Sequence, residues 1–136
     1  TYQVITMATE SGMWIDAIHI AERKHAQGSA PVFMYRLDWQ TPIFGGIMRS
    51  PHGLDVPLVF GHAAQFSSIL GSGPEQLRLE KQMMDAWVAF ARNGKPSTAG
   101  HFWPAYEPVR RQTMIYAANS HVVADPDKPF RQFWSA

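Results

Sequence analysis

The residue of this 136-residue chain best suited to moving a proton is His52, in the run Ser50-Pro51-His52-Gly53. An imidazole titrates near neutrality, so it can take a hydroxyl proton and hand it to a leaving group. Pro51 restricts the backbone before the histidine, and Gly53 leaves room after it. Nucleophilic ester or amide hydrolysis needs a nucleophile, a base and an acid that orients the base. Only the base is offered here. The strained serine turn Gly-x-Ser-x-Gly is absent, since no serine, including Ser11, Ser50, Ser67, Ser72 and Ser120, has a glycine two positions before it. Residue types alone leave a second reading open, in which His52 is a surface or structural loop histidine.

The other candidate chemistries are weaker. The six histidines are His19, His25, His52, His62, His101 and His121. They form no His-Glu-x-x-His pair, and without cysteine there is no thiolate ligand. His52 and His62 could meet in space, whereas His19 and His25 read as helix-surface residues. Gly71-Ser72-Gly73 lacks the third glycine and the Lys-Ser/Thr pair of phosphate loops. A net charge of +1 and an isolated Arg110-Arg111 give no basic stripe for nucleic acid. No apolar run approaches a membrane span. The sequence implies no cofactor.

Several elements must position His52. Pro31 ends the preceding segment, and Val32 to Leu37 reads as a strand. Its consecutive apolar residues favour cover on both faces, as in a parallel or mixed sheet flanked by helices. A strand feeding a polar loop is where such a fold carries working groups. Trp39 to Pro51 is a loop containing Gly45-Gly46, and a second loop runs from Gly61 to Gly73. Pro57 interrupts any long element after His52, and several of Leu54, Val56, Leu58, Val59 and Phe60 should pack inward. Upstream, Thr1 to Met7 is either a strand or the approach to a helix, and Thr9 to Gly12 could cap the next helix. Trp14, Ala17, Ile18 and Ala21 recur at steps of three and four in that amphipathic helix over 13–27, flanked by Ile15 and Ile20 and ended by Gly28. Downstream, Pro74 to Asn93 is a helix with Pro74 in its first turn, Glu75 at its positive end and Asn93-Gly94 as its stop. Its apolar face is expected from Met83, Met84, Trp87, Val88, Phe90 and Ala91. Residues 97–111 read as irregular. Strands at 113–117 and 121–124 flank Ala118-Asn119-Ser120 as a hairpin, and Phe130, Phe133 and Trp134 form a docked terminal helix or coil.

Charged residues make up 17% of the chain, below the usual quarter or so, beside five Trp, eight Phe and four Tyr. That balance is expected where part of the surface is covered by another chain or by more of the same one. The strand at 32–37 finds no convincing parallel partners here, which points the same way. Beginning at Thr1 without methionine, the chain reads as processed, excised or incomplete at its start. Compartment stays open.

Five pieces in order resemble the type B carboxylesterases, the cholinesterase-like branch of the α/β-hydrolase fold, and most of all the bacterial esterases. They are Pro-Val-Phe-Met-Tyr-Arg-Leu-Asp-Trp at 31–39, His-Gly-Leu-Asp-Val-Pro-Leu-Val-Phe-Gly at 52–61, Trp-Val-Ala-Phe-Ala-Arg-Asn-Gly-Lys-Pro at 87–96, Trp-Pro-Ala-Tyr at 103–106 and Arg-Gln-Thr-Met-Ile-Tyr at 111–116. The resemblance implies that residues 1–136 are the C-terminal portion of one α/β-hydrolase domain, incomplete alone. One or two central-sheet strands, packed helices and a C-terminal hairpin would make it up. His52 would be the catalytic histidine. Asp55 stands where the family commonly has Glu, and Ser50-Pro51 replaces a small-residue pair. The triad acid would lie before residue 1, Glu10 and Asp16 being poor substitutes, and the serine earlier still. The implied partner is therefore the N-terminal part of the same protein, or a second chain, carrying Ser and Glu or Asp. The implied substrate is a small-molecule ester. The family also holds noncatalytic adhesion proteins, so a scaffold or interaction module is the alternative.

Overall fold

The computed structural model describes residues 8–126 and 128–134, so the reading of Thr1 to Met7 lies outside the described residues. The chain divides into two compact units. One comprises residues 1–34, 105–113 and 123–136, the other residues 35–104 and 114–122.

In the first unit, a π-type turn at Glu10–Trp14 leads into helix α1, Ile15–Ala26. Ile15, Ile18 and Ala21 form its buried stripe and cluster with Met34 and Tyr106, while Trp14, Ala17 and Val32 pack partly buried against them. All four residues of the expected stripe thus belong to the cluster or pack against it. Ile15 lies inside it and Ile20 is exposed. Each fully buried Ile is worth about 1.5–3 kcal/mol over an exposed one. Residues 10–12 are taken into the π-type turn, and Trp14 precedes α1 without a side-chain capping bond among the described residues. Gly28 ends the helix as expected, with φ +67° and its N–H on His25 O.

Helix α1 is tied to the later segment by Glu22, whose Oε1 accepts from Arg111 Nη2 at 2.6 Å. The terminal helix forms, but its three aromatics do not dock it. Phe130, Phe133 and Trp134 are exposed, and Arg131 is the residue that turns inward, doubly bonded to Asp125 at 2.9 and 2.7 Å.

Three strands form one sheet in the order β1-β2-β3: β1 Met34–Leu37, β2 Gln112–Tyr116 and β3 His121–Ala124. The strand expected from Val32 begins two residues later. Val32 O instead accepts the N–H of Tyr106. The N–H groups of Asp38 and Trp39 both bond Tyr116 O, so β1 and β2 end together and run parallel. β1 thus has one parallel neighbour and stands at the end of the described sheet, which leaves the expectation of too few parallel partners in place. Thr113 to Tyr116 are buried consecutively, which suits β2 to the central place, while the less buried β3 takes an edge. In β1 only Met34 is buried and the rest is half-buried.

The second unit holds helices α2, Asp55–Val59, α3, Ser67–Leu70, and α4, Pro74–Asn93. Pro57 does not break α2. It stands in the first turn, where an N–H has no helical acceptor to lose. Leu54, Pro57 and Leu58 face inward and Val56 and Phe60 outward. A single helical turn, α3, interrupts the expected loop at 61–73. Helix α4 has the expected bounds, with Gly94 left-handed and its N–H on Phe90 O at 2.8 Å. Its buried face differs from the expected one: Gln76, Leu79, Met83 and Ala86 are inside, while Met84, Val88, Phe90 and Ala91 are exposed. Helix α2 packs against this helix. Four rings, Tyr35, Trp87, Trp103 and Tyr116, pack together, with centroids 5.0 Å apart for Tyr35 and Trp87 and 6.3 Å apart for Trp87 and Tyr116. Residues 97–111 are irregular as expected, apart from a bridge between Thr98 and His101.

Candidate functional site

His52 lies in the tight turn between β1's exit loop and α2. Leu54 N–H bonds Pro51 O at 3.2 Å, and Val56 N–H bonds Gly53 O at 3.2 Å, so the chain coils immediately past the histidine. Gly53 has φ +81°, a conformation that costs a side-chain-bearing residue about 1–2 kcal/mol. The imidazole is exposed, and among the described residues none forms a hydrogen bond or ion pair with it.

The turn forms one wall of a groove of about 550 Å³. Val56, Phe60, Phe66 and Ile69 contribute apolar surface to it, and Met48 adds the end of the 39–51 loop. His52 and His62 are the two polar side chains in this lining. The sequence expectation that these histidines could share a region is met to that extent. Among the described residues no group of three or more His, Cys, Asp or Glu could hold a metal. His19, His25 and His121 are exposed elsewhere, and His121 Nδ1 lies 2.9 Å from Asn119 O.

Two hydrogen bonds hold the His52 turn to strand β1. Ser50 Oγ donates to Leu37 O at 3.0 Å, and Tyr35 Oη donates to Asp55 Oδ2 at 2.6 Å. The second is short and charge-assisted, a class about twice as strong as neutral pairs. Burial, then the bond to Asp55 and its negative charge, push the Tyr35 phenol well above its ordinary pKa. Burial does the same to Tyr116, with Tyr35 adding to it. The Tyr35–Asp55 pair was not legible in the sequence, because its partners are twenty residues apart on different elements. The departure at Asp55 was the one available signal.

The exit loop has its own closure. Thr41 N–H bonds Arg49 O at 2.9 Å, and Thr41 Oγ1, fully buried, bonds Ile69 O. Ala63 N–H bonds Glu80 Oε1 at 2.8 Å, which anchors the chain beyond His62 to α4. Polar contacts thus anchor both loops that lead to the groove.

Residues 1–134 match the model of the carboxylesterase family. Para-nitrobenzyl esterase of Bacillus subtilis (strain 168) is 32% identical over 130 residues, 94% of this chain and 26% of that protein. Carboxylesterase 1E of Mus musculus is 35% identical over 124 residues, 85% of this chain and 21% of that protein. Among solved structures, a Geobacillus stearothermophilus carboxylesterase at pH 6.2 superposes with a TM-score of 0.70 and 37% identity, over 84% of this chain and 24% of that one. The chain spans about a quarter of the length of the curated relatives it matches.

Proposed function

This chain belongs to the carboxylesterase family, and we propose from that premise that it is the C-terminal part of a serine carboxylic-ester hydrolase whose general base is His52. The observation that carries the reading is the place of the imidazole: exposed, on a pinned turn, at the wall of a groove otherwise apolar but for His62. Such a groove takes a neutral ester through its hydrocarbon parts and leaves the carbonyl for the polar groups.

In this reading the serine and the orienting carboxylate come from sequence outside this chain. His52 removes the serine hydroxyl proton as the oxygen attacks the ester carbonyl. The tetrahedral intermediate then collapses, and the imidazolium gives that proton to the departing alcohol. A water molecule repeats the exchange on the acyl-enzyme, its proton passing through the same ring to the serine oxygen as the acid leaves. The 136 residues alone lack the nucleophile and do not turn over ester.

The test is ester hydrolysis by the polypeptide that carries this chain downstream of a Gly-x-Ser-x-Gly, with and without His52→Gln. The expected loss in kcat is about 10²–10⁴-fold or more, with the fold retained by circular dichroism. Undiminished hydrolysis by the variant removes His52 from the mechanism. A parent sequence without any such serine favours the noncatalytic scaffold instead.

A further inference from the structure

We propose that Tyr35, Asp55 and Ser50 are positioning residues for His52, acting as a two-point staple that binds its turn to a single strand. The proposal rests on His52 being the general base. His52 stands two residues after Ser50 and three before Asp55. Both flanks are fastened to β1, one at the Leu37 carbonyl and the other at the Tyr35 hydroxyl. Leu37 and Tyr35 are two residues apart on an extended strand, hence about 7 Å apart along it. Six residues, 50–55, are thus closed over a short fixed base. The turn bonds from Leu54 to Pro51, within that span, and from Val56 to Gly53, at its end, restrict the backbone further.

The anchor is itself held by ring packing. The Tyr35 ring meets Trp87 edge-on at 5.0 Å and lies 6.1 Å from both Trp103 and Tyr116. These contacts leave the phenol little room to track a moving partner. Asp55 opens α2, where a carboxylate would be favoured by the helix N-terminus alone. It is bonded instead to a strand residue twenty positions back, and the helix start is thereby fixed in the frame of the sheet. A base must lie within hydrogen-bond reach of its hydroxyl, and an ångström of misplacement costs up to about 10²-fold in rate. The staple sets that distance from outside the site, because neither Tyr35 nor Asp55 lines the groove.

The test uses the polypeptide that carries this chain, with active sites counted by the burst of acyl-enzyme formation. Tyr35→Phe keeps the ring and removes the bonding oxygen. The expected result is a fall in kcat per titrated site of about 10–10²-fold with KM within about twofold, since substrate still meets the same groove. Asp55→Ala gives the same signature and Asp55→Glu restores most of the rate, because the longer carboxylate still accepts from Tyr35. Three outcomes overturn the staple while His52→Gln stays inactive: full kcat per site in Tyr35→Phe, a loss confined to the number of titratable sites, or no recovery in Asp55→Glu. If His52→Gln is itself active, the reading of His52 fails and the staple has nothing to position.

Discussion

Tyr35 Oη and Asp55 Oδ2 meet at 2.6 Å, joining the aromatic interior of the sheet to the helix that comes after His52. A phenol donates this bond only while protonated, so the contact ties local structure to alkaline pH. The folded-state pKa values of Tyr35 and Tyr116 are both raised, Tyr35 by burial and by Asp55 and Tyr116 by burial and by Tyr35. Their folded forms therefore hold protons that the unfolded chain releases near about pH 10.

Stabilisation from these two phenols is fully present below about pH 10 and declines as pH rises from there toward the folded-state values. Urea midpoints should fall above about pH 10, and the fall should be shallower in Tyr116→Phe, which keeps a packed ring and removes one ionisable oxygen. An equal slope in the variant would remove Tyr116 from the linkage.

Asp125 behaves in the opposite direction. Two hydrogen bonds from Arg131 hold its carboxyl below the usual range, against the opposing effect of burial. The contribution is present above the unfolded carboxylate value and is lost as pH falls through the lower folded one. Asp125→Asn should cost about 1–3 kcal/mol at about pH 7. The gap to wild type should narrow as pH falls below the ordinary carboxylate value of about 3.9, as seen in paired denaturation curves.

Helix α2 presents a test of its own orientation. Leu58 is fully buried and Val56 is 53% exposed, two positions apart on the same short helix. Leu58→Ala is expected to cost about 2–5 kcal/mol by leaving a cavity in the core. Val56→Ala should fall within about 0.5 kcal/mol of wild type. Thermal melts that rank the two variants the other way round would turn the helix over.

The elements were legible where their signals are local. Pro74 and Asn93-Gly94 bound α4 in sequence as in structure, because a proline at the start and a glycine past the end act within their own turn. The hairpin at β2 and β3 was visible for the same reason. Burial was not legible, because it depends on distant partners. Met84 and Val88 are apolar like Leu79, yet the face that turns inward is the one holding Leu79 and Met83. Pro57 stands in the first turn of a helix of only five residues, where its position rather than its identity decides its effect. At the site, the Pro/Gly frame of His52 was plain, whereas the bonds from Ser50 and Asp55 to β1 depend on the folded path.

The loop between β1 and His52 is pinched at its base. Leu37 O and Ser50 Oγ are bonded, and inside them Thr41 and Arg49 close a second, smaller ring. Everything between is an excursion that leaves the strand and returns to nearly the same place, with Phe44 and Ile47 standing out on it. Such an excursion can be lengthened at little entropic penalty, since doubling a flexible loop adds only about 0.6 kcal/mol. Met48 brings that excursion into the groove lining, which is therefore interchangeable there in a way that the His52 turn is not. Under the proposed function, loops transplanted between Thr41 and Arg49 alter the ester groove while the His52 turn keeps its bonds to β1.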